Sequence, residues 1–72
     1  MTKEEKITLI EEIMELDEGT LSEDSILAEF EEWDSLSKLM LISTAKKEFG
    51  IVINTDTLKT FKKVSDICDF LK

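Results

Sequence analysis

The segment Glu32–Leu36 holds the residue types and spacing most suited to chemistry in this chain. Asp34 has the side chain of a helix N-cap, because a carboxylate there accepts hydrogen bonds from the unpaired amides of the next turn. Ser35 would then open a helix with its hydroxyl facing solvent, where amide donors and the helix dipole favour an added phosphate. The chain has no histidine to activate a serine or cysteine nucleophile. We therefore expect no catalytic residue, and a serine that is either modified by another protein or simply part of a helix start.

Length and composition restrict the class of protein. The chain has 72 residues and a formal net charge of −8, with no long apolar run. One small domain covering residues 1–72 is expected, with no nucleic-acid partner and no membrane insertion, and a monomer is the default. Cys68 is the single cysteine, so an internal disulfide and a Cys/His zinc site are both excluded. A cytoplasmic location and the absence of a metal site are predicted.

The charge is unevenly distributed along the chain. Residues 1–34 contain 13 acids and two lysines, whereas residues 35–72 contain four acids and seven lysines. The acidic half is interpreted as a solvated surface, and the alternative is a surface that attracts basic partner enzymes.

Hydrophobic spacing predicts a first helix over residues 3–16, with a capping box formed by Thr2 and Glu5 and a left-handed cap at Gly19. Residues 17–34 lack a helical period and predict a long, ordered loop, with a short helical turn near residues 23–28. Met14 and Cys68 are expected in the core, and Trp33 is expected to anchor the loop.

A second helix is predicted over residues 35–49, with Gly50 just beyond its end. Its apolar stripe is wider than one buried face needs, so part of it is expected to form an exposed docking patch. Ile51–Ile53 is interpreted as a core-filling connection rather than a strand. Short helices over residues 55–60 and 64–71 complete an all-α four-helix bundle with a long first loop and a short third helix.

This ordered set of features resembles the acyl carrier protein family, which includes peptidyl and D-alanyl carrier domains. The motif Asp34-Ser35-Leu36 is followed by an apolar helix that ends in Lys47-Glu48-Phe49-Gly50-Ile51. Length, acidity, helix order and the loop over residues 17–34 agree as well, and the resemblance covers nearly the whole chain.

The resemblance implies that Ser35 carries a covalent 4′-phosphopantetheine arm whose thiol holds acyl or aminoacyl groups as thioesters. Asp34 would orient the serine, and Leu36 would lie beside the arm. Partner enzymes would dock on Leu36, Leu39, Met40 and Trp33. The implied partners are a phosphopantetheinyl transferase, an acyl- or aminoacyl-loading ligase, and downstream transferase or synthase enzymes. The apolar lining of helices one, two and four would allow a pocket for the acyl chain to open by helix movement.

Departures from the pattern of fatty-acid carriers point to a specialised pathway. Glu32 stands where those carriers usually have glycine, and Ser37 and Met40 stand where they commonly have acids. The second helix is basic rather than acidic, which would repel partners suited to an acidic helix. Met1 and the short termini favour a free-standing protein. The alternatives are an unmodified helical interaction module that docks through the apolar patch, and a small regulatory subunit of a basic enzyme.

Overall fold

Four α-helices and two shorter helical turns account for more than half of residues 2–71, the part of the chain that the computed structural model describes. They are α1 (Lys3–Ile13), α2 (Ser35–Thr44), α3 (Thr55–Thr60) and α4 (Val64–Phe70). A π-helical turn, Ala45–Phe49, continues α2, and a 3-10 turn, Leu27–Glu29, interrupts the long loop. Residues 2–71 form no β-strand beyond one isolated bridge between Ile26 and Lys63. The predicted all-α four-helix bundle is confirmed, and none of these helices is long and apolar enough to cross a membrane.

Local capping explains most helix ends. Thr2 and Glu5 satisfy each other's backbone amides at 3.0 and 3.2 Å, as the capping box predicts. The Asn54 side chain accepts from the Thr57 amide at 2.8 Å and begins α3. Gly50 has φ +66° just after the π-helical turn, so the predicted end of the second helix is confirmed.

The predicted end of the first helix was wrong. α1 ends at Ile13, and Glu15 takes the left-handed conformation that follows the helix, with φ +58°. Gly19 also has a positive φ, +90°, but it lies in a turn of the loop and does not cap the helix. The Leu16 amide then donates to the Glu11 carbonyl at 2.8 Å, a wider turn than an α-helix makes. This turn leaves Leu16 half-buried against the core, so its contribution to the apolar stripe comes from the loop.

The core lies where α1, α2 and α4 meet the long loop. Buried side chains from these elements include Ile10, Leu27, Leu41 and Ile67, and Met14 and Cys68 are buried as expected. No residue of α3 is fully buried. Within Ile51–Ile53, Ile53 is buried but Val52 is 72% exposed, so only part of that segment fills the core.

Backbone hydrogen bonds hold the long loop against the start of α4. The Val64 amide donates to the Ser25 carbonyl at 3.0 Å, and the Leu27 amide donates to the Lys62 carbonyl at 2.9 Å. The loop thus satisfies a donor that the first turn of α4 leaves unpaired. The short helical turn lies at residues 27–29 rather than 23–28, and it begins at the buried Leu27. The ordered loop places Trp33 and Asp34 at the start of α2.

Candidate functional site

Asp34 caps α2 as the sequence predicts. Its Oδ1 accepts from the Ser37 amide at 3.0 Å, and its carbonyl accepts from the Lys38 amide at 3.0 Å. The hydrogen bond from the Ser37 amide lowers the pKa of the Asp34 carboxyl below its ordinary value. The cap therefore remains ionised at neutral pH and fixes the first turn around Ser35.

Two serines in this turn have opposite environments. Ser35 is exposed, whereas Ser37 is buried and its hydroxyl donates to the Glu32 carbonyl. The Ser37 hydroxyl thus ties the first turn of α2 to the end of the loop. Of the two hydroxyls, only that of Ser35 lies on a side chain that another protein could reach.

An exposed apolar patch follows Ser35 along α2. Leu36 is 64% exposed, Leu39 63% and Met40 41%. The expectation that part of this stripe faces solvent is confirmed, and Met40 is the least exposed of the three. Exposed apolar side chains grouped beside a reactive position are typical of a docking surface.

Trp33 packs against the core and is half-buried, as expected of a loop anchor. The Nζ of Lys38 lies 5.8 Å from the centre of the Trp33 ring, within the range of a cation–π contact. Trp33 therefore borders the surface beside Ser35, and its ring contacts the Lys38 ammonium group there.

A narrow cleft of about 80 Å³ lies on the other side of Ser35, between the end of α1 and the start of α2. Ile13, Met14, Leu36 and Met40 provide its apolar lining. No residue of α4 lines this cleft.

Sequence reasoning missed the structural roles of Ser37 and Glu11. Ser37 precedes the buried Leu41 and Ala45 by one and two helical repeats, which was the available signal. Glu11 is only 2% exposed, and its Oε2 accepts from the Leu21 amide at 2.8 Å. Glu11 lies four residues after Ile7 and three before Met14, which places it on the inner face of α1. Its charge, however, led to the expectation that it faces solvent.

The family comparison agrees with this geometry. A family model described as "Phosphopantetheine attachment site" matches residues 7–71, which is most of the chain. The chain therefore belongs to the phosphopantetheine-binding carrier family, whose members are non-catalytic carriers of a covalently attached 4′-phosphopantetheine. Comparisons with curated proteins and with solved structures give no match.

Proposed function

We propose that the chain is a single carrier domain over residues 1–72 and that Ser35 is the residue that bears its 4′-phosphopantetheine. One observation carries the assignment to Ser35: it is the exposed serine at the capped start of α2, beside the buried and hydrogen-bonded Ser37. The protein acts as a monomer in the cytosol, where a lone unpaired cysteine is expected.

Attachment requires an external transferase, since the chain has no histidine to serve as a base. The Ser35 oxygen attacks the phosphorus next to pantetheine in the pyrophosphate of coenzyme A. A new oxygen–phosphorus bond forms, the bond to the departing 3′,5′-ADP breaks, and the transferase accepts the hydroxyl proton. Amide donors and the dipole at the start of α2 favour the phosphodiester that results, and Asp34 orients the turn for the transferase.

Loaded cargo then travels as an acyl or aminoacyl thioester on the arm. A loading ligase and downstream transferase or synthase enzymes dock on Leu36, Leu39 and Met40, whose exposure supports that role. Trp33 borders the same surface. Lys46 and Lys47 are exposed farther along the second helix and give its surface a positive charge. Such a surface suits partners of a specialised pathway better than partners that need an acidic helix.

The test is intact-protein mass spectrometry after incubation with coenzyme A, magnesium and a broad-specificity phosphopantetheinyl transferase. Wild type should gain the mass of one phosphopantetheine, and Ser35→Ala should gain none. Ser43→Ala is the matched control, because Ser43 is an exposed serine of the same helix, and it should be modified at the wild-type rate. An unmodified wild type beside a fully modified reference carrier would contradict the proposal and favour an interaction module.

A further inference from the structure

Lys38 is the lysine nearest to Ser35 in the sequence, and an aromatic ring holds it in place. It is half-buried, and its Nζ lies 5.8 Å from the centre of the Trp33 ring. The ion pair found among residues 2–71 joins Lys3 and Glu23, so Lys38 is not paired with a carboxylate of that part of the chain. The Lys38 ammonium group is therefore a positioned cation whose charge is not neutralised.

The chain just before Ser35 is strongly acidic. Glu31, Glu32 and Asp34 are all exposed and lie within four residues of the serine. A phosphodiester on Ser35 adds a further negative charge at this place, and like charges so close together repel one another. The added charge is therefore best tolerated if a cation lies within reach of the phosphate.

Lys38 can reach a phosphate on Ser35. The two residues are three apart on α2, and side chains with that spacing have Cβ atoms about 5–6 Å apart. The lysine ammonium has three rotatable N–H donors on a flexible four-carbon stem, so one donor can meet a phosphate oxygen while the group stays over Trp33. The ring already restricts the lysine, so less side-chain freedom is lost when the ion pair forms.

The two sides of Ser35 differ in chemistry. Successive residues of an α-helix lie about 100° apart around its axis, so Lys38 lies about 60° to one side of Ser35 and Leu36 about 100° to the other. Leu36 and Met40 face the end of α1, where they line the narrow cleft. A phosphodiester held by Lys38 therefore leaves Ser35 on the side away from Leu36 and Met40.

We infer that Lys38, held by the Trp33 ring, is the counter-ion of the phosphodiester on Ser35 and fixes the first bonds of the arm on the Trp33 side of α2. Leu36 and Met40, which are exposed, then stay open to partner enzymes while the arm is anchored. This inference rests on the proposed function, because the arm supplies the phosphodiester. Lys38 contacts the attached group directly, and Trp33 is a positioning residue that acts through Lys38.

The first test compares NMR spectra of the unmodified and the phosphopantetheine-bearing protein. Modification should shift the Lys38 ammonium resonance more than that of Lys59, the other lysine on the Trp33 side of the protein. Lys38→Gln should move the phosphorus resonance of the arm, and Lys38→Arg, which keeps a cation able to stack on the ring, should move it less. Lys46→Gln removes an exposed lysine farther along the chain and should leave it in place. Added salt should reduce the difference between wild type and Lys38→Gln.

The second test measures the energetic coupling between Lys38 and the phosphodiester. The equilibrium constant of unfolding is measured with and without the arm, and the ratio of the two constants is compared between variants. Lys38→Gln should change this ratio by about 1.4- to 5-fold, the range for an exposed charge pair, in the direction that makes the arm more destabilising. Trp33→Leu removes the ring and should change the ratio in the same direction, and Trp33→Phe should change it less. Lys46→Gln should give the wild-type ratio.

Two results would overturn the inference. One is a modified protein in which the Lys38 ammonium resonance shifts no more than that of Lys59. The other is a ratio of unfolding constants that is the same for Lys38→Gln and Lys46→Gln. A wild-type ratio in both Trp33 variants would overturn the positioning role given to the ring.

Failure of the proposed function would be seen separately, as a lack of mass gain on Ser35. In that case, phosphoserine encoded at position 35 supplies the phosphate without a transferase, and the same ammonium spectra test Lys38. A larger shift of Lys38 than of Lys59 would support the phosphate contact, and equal shifts would reject it.

Discussion

Glu11→Ala is expected to be one of the more destabilising substitutions of a charged residue in this protein. The Glu11 carboxylate is buried and accepts from the Leu21 amide at 2.8 Å, so it joins the inner face of α1 to the first buried residue of the long loop. Removing the acceptor leaves a buried N–H without a partner, which costs about 1–3 kcal/mol. A domain of this size has a total stability of roughly 4–11 kcal/mol, so the loss is a large fraction of the whole.

Urea unfolding, followed by helical circular dichroism and by Trp33 fluorescence, measures the decrease in the free energy of unfolding of Glu11→Ala. In thermal unfolding, the melting temperature should fall by about 4–8 °C for each kcal/mol lost. The Leu21 amide should lose protection from hydrogen exchange. Glu11→Gln keeps a carbonyl oxygen as acceptor and should lose less than Glu11→Ala. Glu12→Ala makes the same change at an exposed neighbour and should stay within about 0.5 kcal/mol of wild type. Equal losses for Glu11→Ala and Glu12→Ala would refute the reasoning.

Two further predictions concern the caps. Ser37→Ala should lower the free energy of unfolding by about 0.5–1.5 kcal/mol, because the hydrogen bond from the Ser37 hydroxyl to the Glu32 carbonyl is lost. This variant should still be modified at Ser35. A fully folded Ser37→Ala that cannot be modified would contradict the roles given to the two serines. Hydrogen bonds from backbone amides lower the pKa of Asp34, through Ser37, and of Asp66, through Lys63 and Lys62. Their stabilising effect should therefore be complete above the ordinary carboxyl value of 3.8 and be lost as the pH falls through the lower folded pKa values. Asp66→Asn should make the acid limb of a pH–stability profile shallower, and an unchanged limb would contradict this account.

The start of the second helix could be predicted from sequence because its signals are local. The N-cap aspartate, the serine and the first residues of the apolar stripe lie within about one helical turn. Asp34 caps the Ser37 amide as expected. The same holds for Gly50, whose positive φ is a property that glycine accepts readily.

The end of α1 could not be predicted in this way, because a long-range contact decides it. Glu15 takes a positive φ just after the helix, Gly19 takes one four residues later in the loop, and the buried Glu11 carboxylate binds the Leu21 amide across both positions. Glu11 and Leu21 belong to no common helical period, so only the folded arrangement brings the Glu11 carboxylate to the Leu21 amide.

The most direct test of the central claim is to locate the phosphopantetheine at a single residue of the modified protein. Cleavage after lysine gives a peptide of residues 7–38 that contains both Ser35 and Ser37, and fragment ions that break the chain between the two serines distinguish them. This account predicts that the whole added mass lies on Ser35. Added mass on Ser37, or on any serine outside the start of α2, would contradict it.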